Sequence, residues 1–274
     1  MKKSLVLLLT LCLPFGLAAC GTQNPLAAAP VELSVFAAAS LTEAMDAILE
    51  NYKTVAPNVT IAATYDSSGK LKTQIENGAV CDLFLSAAPK QMNQLDATCD
   101  QAENPDGLDL IDSASRINLL ENEVTLAVPQ ENAAGISSFD QLAQRLKARD
   151  ILLAMGNSDV PVGQYTQKIF SFYGLDENAL AASGAVTYGS NVKEVTTQVT
   201  EASVDCGIIY ATDAASAGLT VVDTATSAQC GQVIYPAALL KGSTHAEEAA
   251  AFLEYLSTDA AMAIFESVGF SAAT

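Results

Sequence analysis

From residue 31 onward, short apolar runs alternate with stretches whose apolar residues recur at helical spacing, and this alternation constrains the fold more than any other feature of the sequence. Strands are predicted over 31–37, 59–64, 82–86, 124–128, 151–155, 185–188, 207–210, 219–222 and 233–240, the last interrupted by Pro236. Between the first two, Leu41, Ala44, Met45, Ile48, Leu49 and Tyr52 put one apolar face on a helix over 41–53. Further helices are predicted over 69–77, from Pro89, over 138–149, 163–173 and 192–201, and over 245–256 and 259–268. Strand and helix in alternation mean an α/β fold with mainly parallel sheets. Such sheets bind ligands beyond the carboxyl ends of their strands, where helix N-termini point. The strand-to-helix turns are therefore where function is sought.

The chain has 274 residues, enough for two lobes with a core each. Its first 19 residues read as a signal peptide: Lys2 and Lys3 precede an apolar stretch too short to span a bilayer comfortably. That stretch ends in Leu17, Ala18, Ala19, Cys20 and Gly21, which resembles a bacterial lipobox with Cys20 as the lipidated residue. Residues 20–30 then form a lipid-anchored tether, and the expected location is extracytoplasmic, held at the cell membrane through Cys20. Without residues 1–19 the chain carries 11 basic and 31 acidic residues, net −20. Such a charge repels nucleic acid and anionic lipid surfaces, and it repels an anionic ligand at long range. Any anion site must therefore work through local donors. Cys81, Cys99, Cys206 and Cys230 remain, an even number in an oxidising compartment. Three pairings are open; proximity in sequence favours Cys81–Cys99 and Cys206–Cys230, each closing a loop that would stabilise by about 3 kcal/mol. A metal site is disfavoured by a single His and the lack of C-x-x-C spacing.

Four strand-to-helix turns share one chemistry: 36–41, 65–69, 160–163 and 188–192. Each is small, neutral or hydroxyl-bearing near the helix start, so a ligand can approach the backbone. A helix N-terminus offers unpaired N–H groups and about half a positive charge. A structural alternative applies to each turn taken singly: Ser40 with Glu43, and Asn191 with Glu194, fit capping boxes.

The sequence of these turns resembles that of the periplasmic molybdate-binding proteins of ABC transporters. The resemblance rests on Phe36 to Leu41, then Ser67, Ser68, Gly69 and Leu71, then Gln74, Ile75, Glu76 and Gly78, and then Asp82 to Ala87. It continues through Val160, Pro161, Gly163 and Tyr165, through Gly207 to Tyr210 with Thr212, Asp213 and Ala214, and through Tyr235 and Pro236. It closes on Ala261, Ile264, Phe265, Gly269 and Phe270, so that it covers nearly the whole chain beyond the tether. It implies a two-lobed periplasmic-binding-protein fold of type II, each lobe a mainly parallel sheet flanked by helices. Lobe 1 would comprise 31–120 plus 236–274, and lobe 2 would comprise 124–234. It further implies an oxyanion held by hydroxyls and backbone amides without a countercharge. Ser40 and Ser68 would each give a hydroxyl and an N–H, Val162 and Val192 an N–H, and Tyr210 its phenol. The molybdenum would enter as this oxyanion, with no direct metal-cation ligands. Where Val162 stands the family often has Ala, which narrows the pocket. Lys70 and Lys193 are expected to be solvated helix-surface residues.

The resulting expectation is a solute-binding lipoprotein, not an enzyme, that captures molybdate or tungstate for an ABC permease. It needs no cofactor, binds no nucleic acid and acts as a monomer. The alternatives are a protein of the same fold taking sulfate, phosphate or an organic anion, and an adhesive surface lipoprotein. Enzymatic readings find little: there is no G-x-S-x-G, Walker A or G-x-G-x-x-G run, and the one His, His245, opens an Ala- and Glu-rich helix.

Overall fold

The computed structural model describes residues 29–273. The signal peptide, Cys20 and most of the tether lie outside the described residues. The first elements are β1 (Val31–Ala38), α1 (Thr42–Val55), β2 (Val59–Asp66), α2 (Ser68–Glu76), β3 (Leu83–Leu85), α3 (Pro89–Asn93) and β4 (Ile117–Asn122). Next come β5 (Val124–Val128), α4 (Phe139–Ala148), β6 (Leu153–Gly156), α5 (Pro161–Tyr173), α6 (Glu177–Ala182) and β7 (Val186–Gly189). They are followed by α7 (Val192–Thr200), β8 (Cys206–Tyr210), α8 (Ala211–Ser216), β9 (Thr220–Thr224) and α9 (Ser227–Cys230). The chain ends with β10 (Val233–Leu239), α10 (Ala246–Leu256), α11 (Asp259–Ser267) and β11 (Ser271–Ala272).

Two sheets result, in the orders β11-β4-β10-β3-β1-β2 and β7-β6-β8-β5-β9. They form the cores of two lobes of an α/β fold. The parallel pairings expected from the alternation hold for β1 with β2 and β3, and for β6 with β7 and β8. The remaining pairings are antiparallel, so each sheet is mixed. The reason lies in the crossovers. β4 feeds β5 through Glu123 alone, and β10 brings the chain back. A strand that arrives without a returning helix runs against its new neighbours.

β1 is apolar on both sides because both its faces are covered. Leu33, Val35 and Ala37 pack into the cluster that contains Met45, Ile48, Phe252 and Phe265. Phe36 points the other way, into a smaller cluster with Leu71, Ile75, Phe84 and Met92. On α1, Ala44, Met45, Ile48 and Tyr52 are the buried stripe. The Tyr52 ring lies 4.8 Å from that of Phe252 on α10. Full burial of a side chain of this size contributes about 1.5–3 kcal/mol, which fixes α1, and the turn that precedes it, against the sheet.

The disulfides expected from counting are absent: Cys81, Cys99, Cys206 and Cys230 are all free thiols. Closeness in sequence does not bring two Cβ atoms within bridging distance. Cys206 is fully buried in β8 and behaves as a small apolar residue. Cys230 sits on α9 with its Sγ 3.5 Å from the Gly231 carbonyl. The Cys81 thiol donates to the Leu83 carbonyl at 3.3 Å, and burial pushes its pKa up to about 12. Cys99 has Arg116 Nη1 at 3.7 Å instead of a sulfur.

Candidate functional site

Four element starts converge where the two lobes meet. After β1 the chain makes a 3-10 turn over Ala39–Leu41, so Ser40 is turned inward and is 3% exposed. It is not a helix cap: α1 has no side-chain cap, and the Ser40 hydroxyl meets the Tyr235 hydroxyl at 2.9 Å. After β2, Ser67 caps α2 by accepting from the Lys70 N–H at 3.3 Å, which leaves Ser68, the first helical residue, facing the cleft. From the other lobe, Pro161 opens α5 at the position where a missing N–H costs nothing, and Val162 follows it. Asn191 caps α7 by accepting from the Glu194 N–H at 3.0 Å, and Val192 is the first helical residue. The expected capping box at α7 is only half present, because the Glu194 carboxylate accepts the Ser190 N–H at 2.6 Å. Tyr210 ends β8 and is 1% exposed.

Ser40, Ser68, Val162, Val192 and Tyr210 all line one cavity, together with Ala38, Ala39, Ser67, Ala87, Val160 and Pro161. None of these side chains carries a charge. The cavity leaves about 10 Å³ for the centre of a water-sized sphere, close to the room one water needs.

The hydrogen bonds around the cavity turn its hydroxyls into donors. Asn122 Nδ2 donates to Tyr235 Oη at 3.2 Å and to Thr212 Oγ1 at 2.9 Å. The Ser40 and Tyr235 hydroxyls share one hydrogen bond in which either can donate, so the Ser40 proton is available to the cavity when Tyr235 donates. Ser68 Oγ accepts the Ala87 N–H at 2.9 Å, so its proton too is left over. Burial pushes the Tyr210 and Tyr235 phenols well above their ordinary pKa, so both keep their protons at neutral pH. The Tyr210 hydroxyl donates over a long 3.5 Å to the Ala87 carbonyl and also interacts with the Tyr235 hydroxyl. The N–H groups of Ser68, Val162 and Val192 lie in first helical turns, where no carbonyl four residues back is available. The cavity is thus lined by hydroxyls and first-turn N–H groups, with no charged side chain among them. The five residues named from the sequence share this cavity, while Tyr235, Asn122 and Ala87, which hydrogen-bond around it, were not named as site residues. A Tyr beside Pro236 in an otherwise apolar strand was the visible signal for Tyr235; the register of β10 against β4 shifts at that pair.

The lobes touch around the cavity. Gln91 Nε2 donates to Gln164 Oε1 at 3.3 Å, and Asn191 Nδ2 to Asp66 Oδ1 at 3.4 Å. Gly69 abuts the Asp159 carbonyl so closely that an added Cβ would stand 2.1 Å from its oxygen. Lys70 and Lys193 are not simply solvated, as expected; each reaches into the opposite lobe. Lys70 Nζ donates to Ser190 Oγ at 2.8 Å, and Lys193 Nζ to Glu43 Oε1 at 2.7 Å. Lys193 also pairs at 2.9 Å with Asp213, a carboxylate only 1% exposed. Burial raises the Asp213 pKa to about 6, against the pull of Lys193. Among the described residues, no group of three or more His, Cys, Asp and Glu side chains could hold a metal ion.

Two mixed α/β lobes meet around a small cavity lined by neutral side chains. The chain belongs to the bacterial extracellular solute-binding protein family, whose model matches residues 33–271. Among its relatives is YvgL of Bacillus subtilis, a candidate ABC transporter substrate-binding lipoprotein, 34% identical over 244 residues and covering 88% of this chain and 87% of that one. The molybdate-binding protein ModA of Escherichia coli is 31% identical over 246 residues, covering 88% and 89% of the two chains. The solved periplasmic molybdate-binding protein of Azotobacter vinelandii has the same fold: the TM-score is 0.73 at 18% identity, over 88% of this chain and 100% of that one.

Proposed function

We propose that this chain captures molybdate, and tungstate by the same shape, in the cleft between its lobes and delivers it to an ABC importer. The observation that carries this reading is the cavity itself: five residues from four element starts and one strand end, small in volume, neutral, and offering donors only. Ser40 and Ser68 give a hydroxyl and an N–H each, Val162 and Val192 an N–H each, and Tyr210 its phenol. Donors of this kind suit a dianion that only accepts. At about 1.5–3 kcal/mol per hydrogen bond to a charged group, they gain roughly 10–20 kcal/mol gross. Association and ordering remove several of these, which leaves micromolar to nanomolar binding. A site without acceptors rejects an ion that must donate, such as hydrogen phosphate. Sulfate has the right charge but a smaller radius, so donors spaced for the larger ion in the liganded cleft would fit it less well.

The reading extends to the parts outside the cleft. Lobe 1, 31–120 plus 236–274, carries Ser40 and Ser68; lobe 2, 124–234, carries Val162, Val192 and Tyr210. A ligand held by both lobes favours the closed form, which the permease reads. Cys20 is lipidated and holds the chain, as a monomer, outside the membrane; the relationship to a candidate lipoprotein supports this. The experiment is a ligand-dependent thermal shift of the protein. Molybdate and tungstate should raise the midpoint well above sulfate and phosphate at equal concentration. Ser40→Ala and Ser68→Ala should weaken the molybdate shift, each lowering the unliganded midpoint modestly because a buried hydrogen-bond partner is left unpaired. Affinity that survives both substitutions rejects the residue assignment.

A further inference from the structure

Basic residues are scarce in this chain, 13 Lys and Arg against 31 Asp and Glu. Two lysines nevertheless stand at the rim of the cavity, within two residues of proposed ligand donors. Lys70 follows Ser68 on α2, and Lys193 follows Val192 on α7. Neither lines the cavity. Their arrangements are reciprocal. Lys70 sits 3.3 Å from Asp66 in its own lobe and donates to Ser190 Oγ of the other lobe at 2.8 Å. Lys193 sits 2.9 Å from Asp213 in its own lobe and donates to both Glu43 carboxylate oxygens of the other lobe, at 2.7 and 2.8 Å.

We propose that Lys70 and Lys193 are reciprocal interlobe clasps that hold the cleft shut and slow the escape of the bound ion without touching it. Each is positioned by an acid on its own helix or its neighbour, so the ammonium is already aimed across the cleft and little ordering is left to the moment of closure. The own-lobe partner of Lys193 is the stronger constraint. Asp213 is buried, and Lys193 at 2.9 Å is the cation that compensates its carboxylate. Lys193 is in consequence fixed in place, although burial opposes its charge; Asp213 and Glu43 raise its pKa above the ordinary value. The contact to Glu43 then links α7, whose first amide is the Val192 donor, to α1, which directly follows Ser40. Lys70 does the same between α2 and the turn that caps α7. Closure and completion of the donor set are thus one event.

The ion-escape part of this inference rests on the proposed oxyanion function; the clasp itself does not. The test uses the full chain without ligand, at low salt, and reads peptide-resolved hydrogen exchange at the starts of α2 and α7. Glu43→Gln and Lys70→Met should each speed exchange there by about two- to fivefold, the size expected for a partly exposed ion pair or its equivalent. Molar salt should bring the parent toward the Glu43→Gln variant, and Lys70→Arg should stay near the parent. Exchange unchanged in both Glu43→Gln and Lys70→Met overturns the clasp. A stopped-flow displacement of sodium molybdate then reads the coupling: release should quicken by about two- to fivefold with association within about twofold of the parent. Release unchanged in both variants overturns the coupling. If the parent binds no molybdate, the proposed function falls, and the exchange comparison still decides the clasp.

Discussion

Gly69→Ala separates folding from closure, because the atom it adds collides only across the cleft. A Cβ at this position would lie 2.1 Å from the Asp159 carbonyl oxygen and 3.1 Å from Asp159 Cβ. Carbon and oxygen need a little over 3 Å, so the lobes must part by about 1 Å unless the Asp159 loop yields. Gly69 adjoins Ser68, so the gap opens at the proposed site itself. Donor distances near 2.9 Å would stretch toward 3.9 Å, beyond hydrogen-bonding range. Losing two of the seven proposed donors at about 1.5–3 kcal/mol each costs about 3–6 kcal/mol, or roughly 10²- to 10⁴-fold in affinity. The unliganded protein should respond in the opposite direction. Gly69 lies within α2, where Ala is the better helix former by up to about 1 kcal/mol. In a chain of this size that is a rise of about 2–4 °C in midpoint, once the lobes relax open. The assay is molybdate calorimetry beside thermal unfolding of the unliganded variant. A molybdate Kd within about threefold of the parent would refute the reasoning.

Other perturbations test separate links. Tyr210→Phe removes one donor to a charged ligand and should weaken molybdate binding by about 10- to 150-fold in calorimetry, with the fold intact. Asp96, 2% exposed, opposes its own burial by accepting from Ser113, Thr98 and Arg116, and its pKa is held below the usual carboxylate range. Asp96→Ala should destabilise by about 3 kcal/mol in denaturant unfolding, since it strands Arg116. The stabilisation from Asp96 is fully present above about pH 4 and is lost as pH falls below the usual carboxylate range toward its depressed folded pKa. Asp213 has the opposite sign: its folded pKa, about 6, exceeds the unfolded one. Its contribution is full below about pH 4 and fades as pH rises through 6, so Asp213→Asn should flatten the stability profile across that window.

The sequence made local features legible and long-range ones obscure. The buried face of α1 follows directly from apolar spacing, and β5 lies where its apolar run predicts it. The short α6, α8 and α9, of four to six residues, escaped notice because so few residues complete too little of the helical period. β4 escaped because Asn118, Glu121 and Asn122 dilute its apolar content. At the site, the turns could be read one by one. That Tyr235 would arrive beside Ser40 from 195 positions away could not. The same gap explains the cysteines: an even count in the right compartment carries no distance. It explains Lys193 as well, whose partners Glu43 and Asp213 come from two other helices.

The most direct test of a neutral, donor-only oxyanion cleft is calorimetry of the soluble chain from Val31 onward, titrated with molybdate, tungstate and sulfate. The account predicts one molybdate or tungstate per chain with micromolar or tighter affinity, and sulfate weaker by at least about tenfold, one lost donor or more at about 1.5–3 kcal/mol each. A folded chain that takes up no molybdate, or that prefers sulfate, would contradict it.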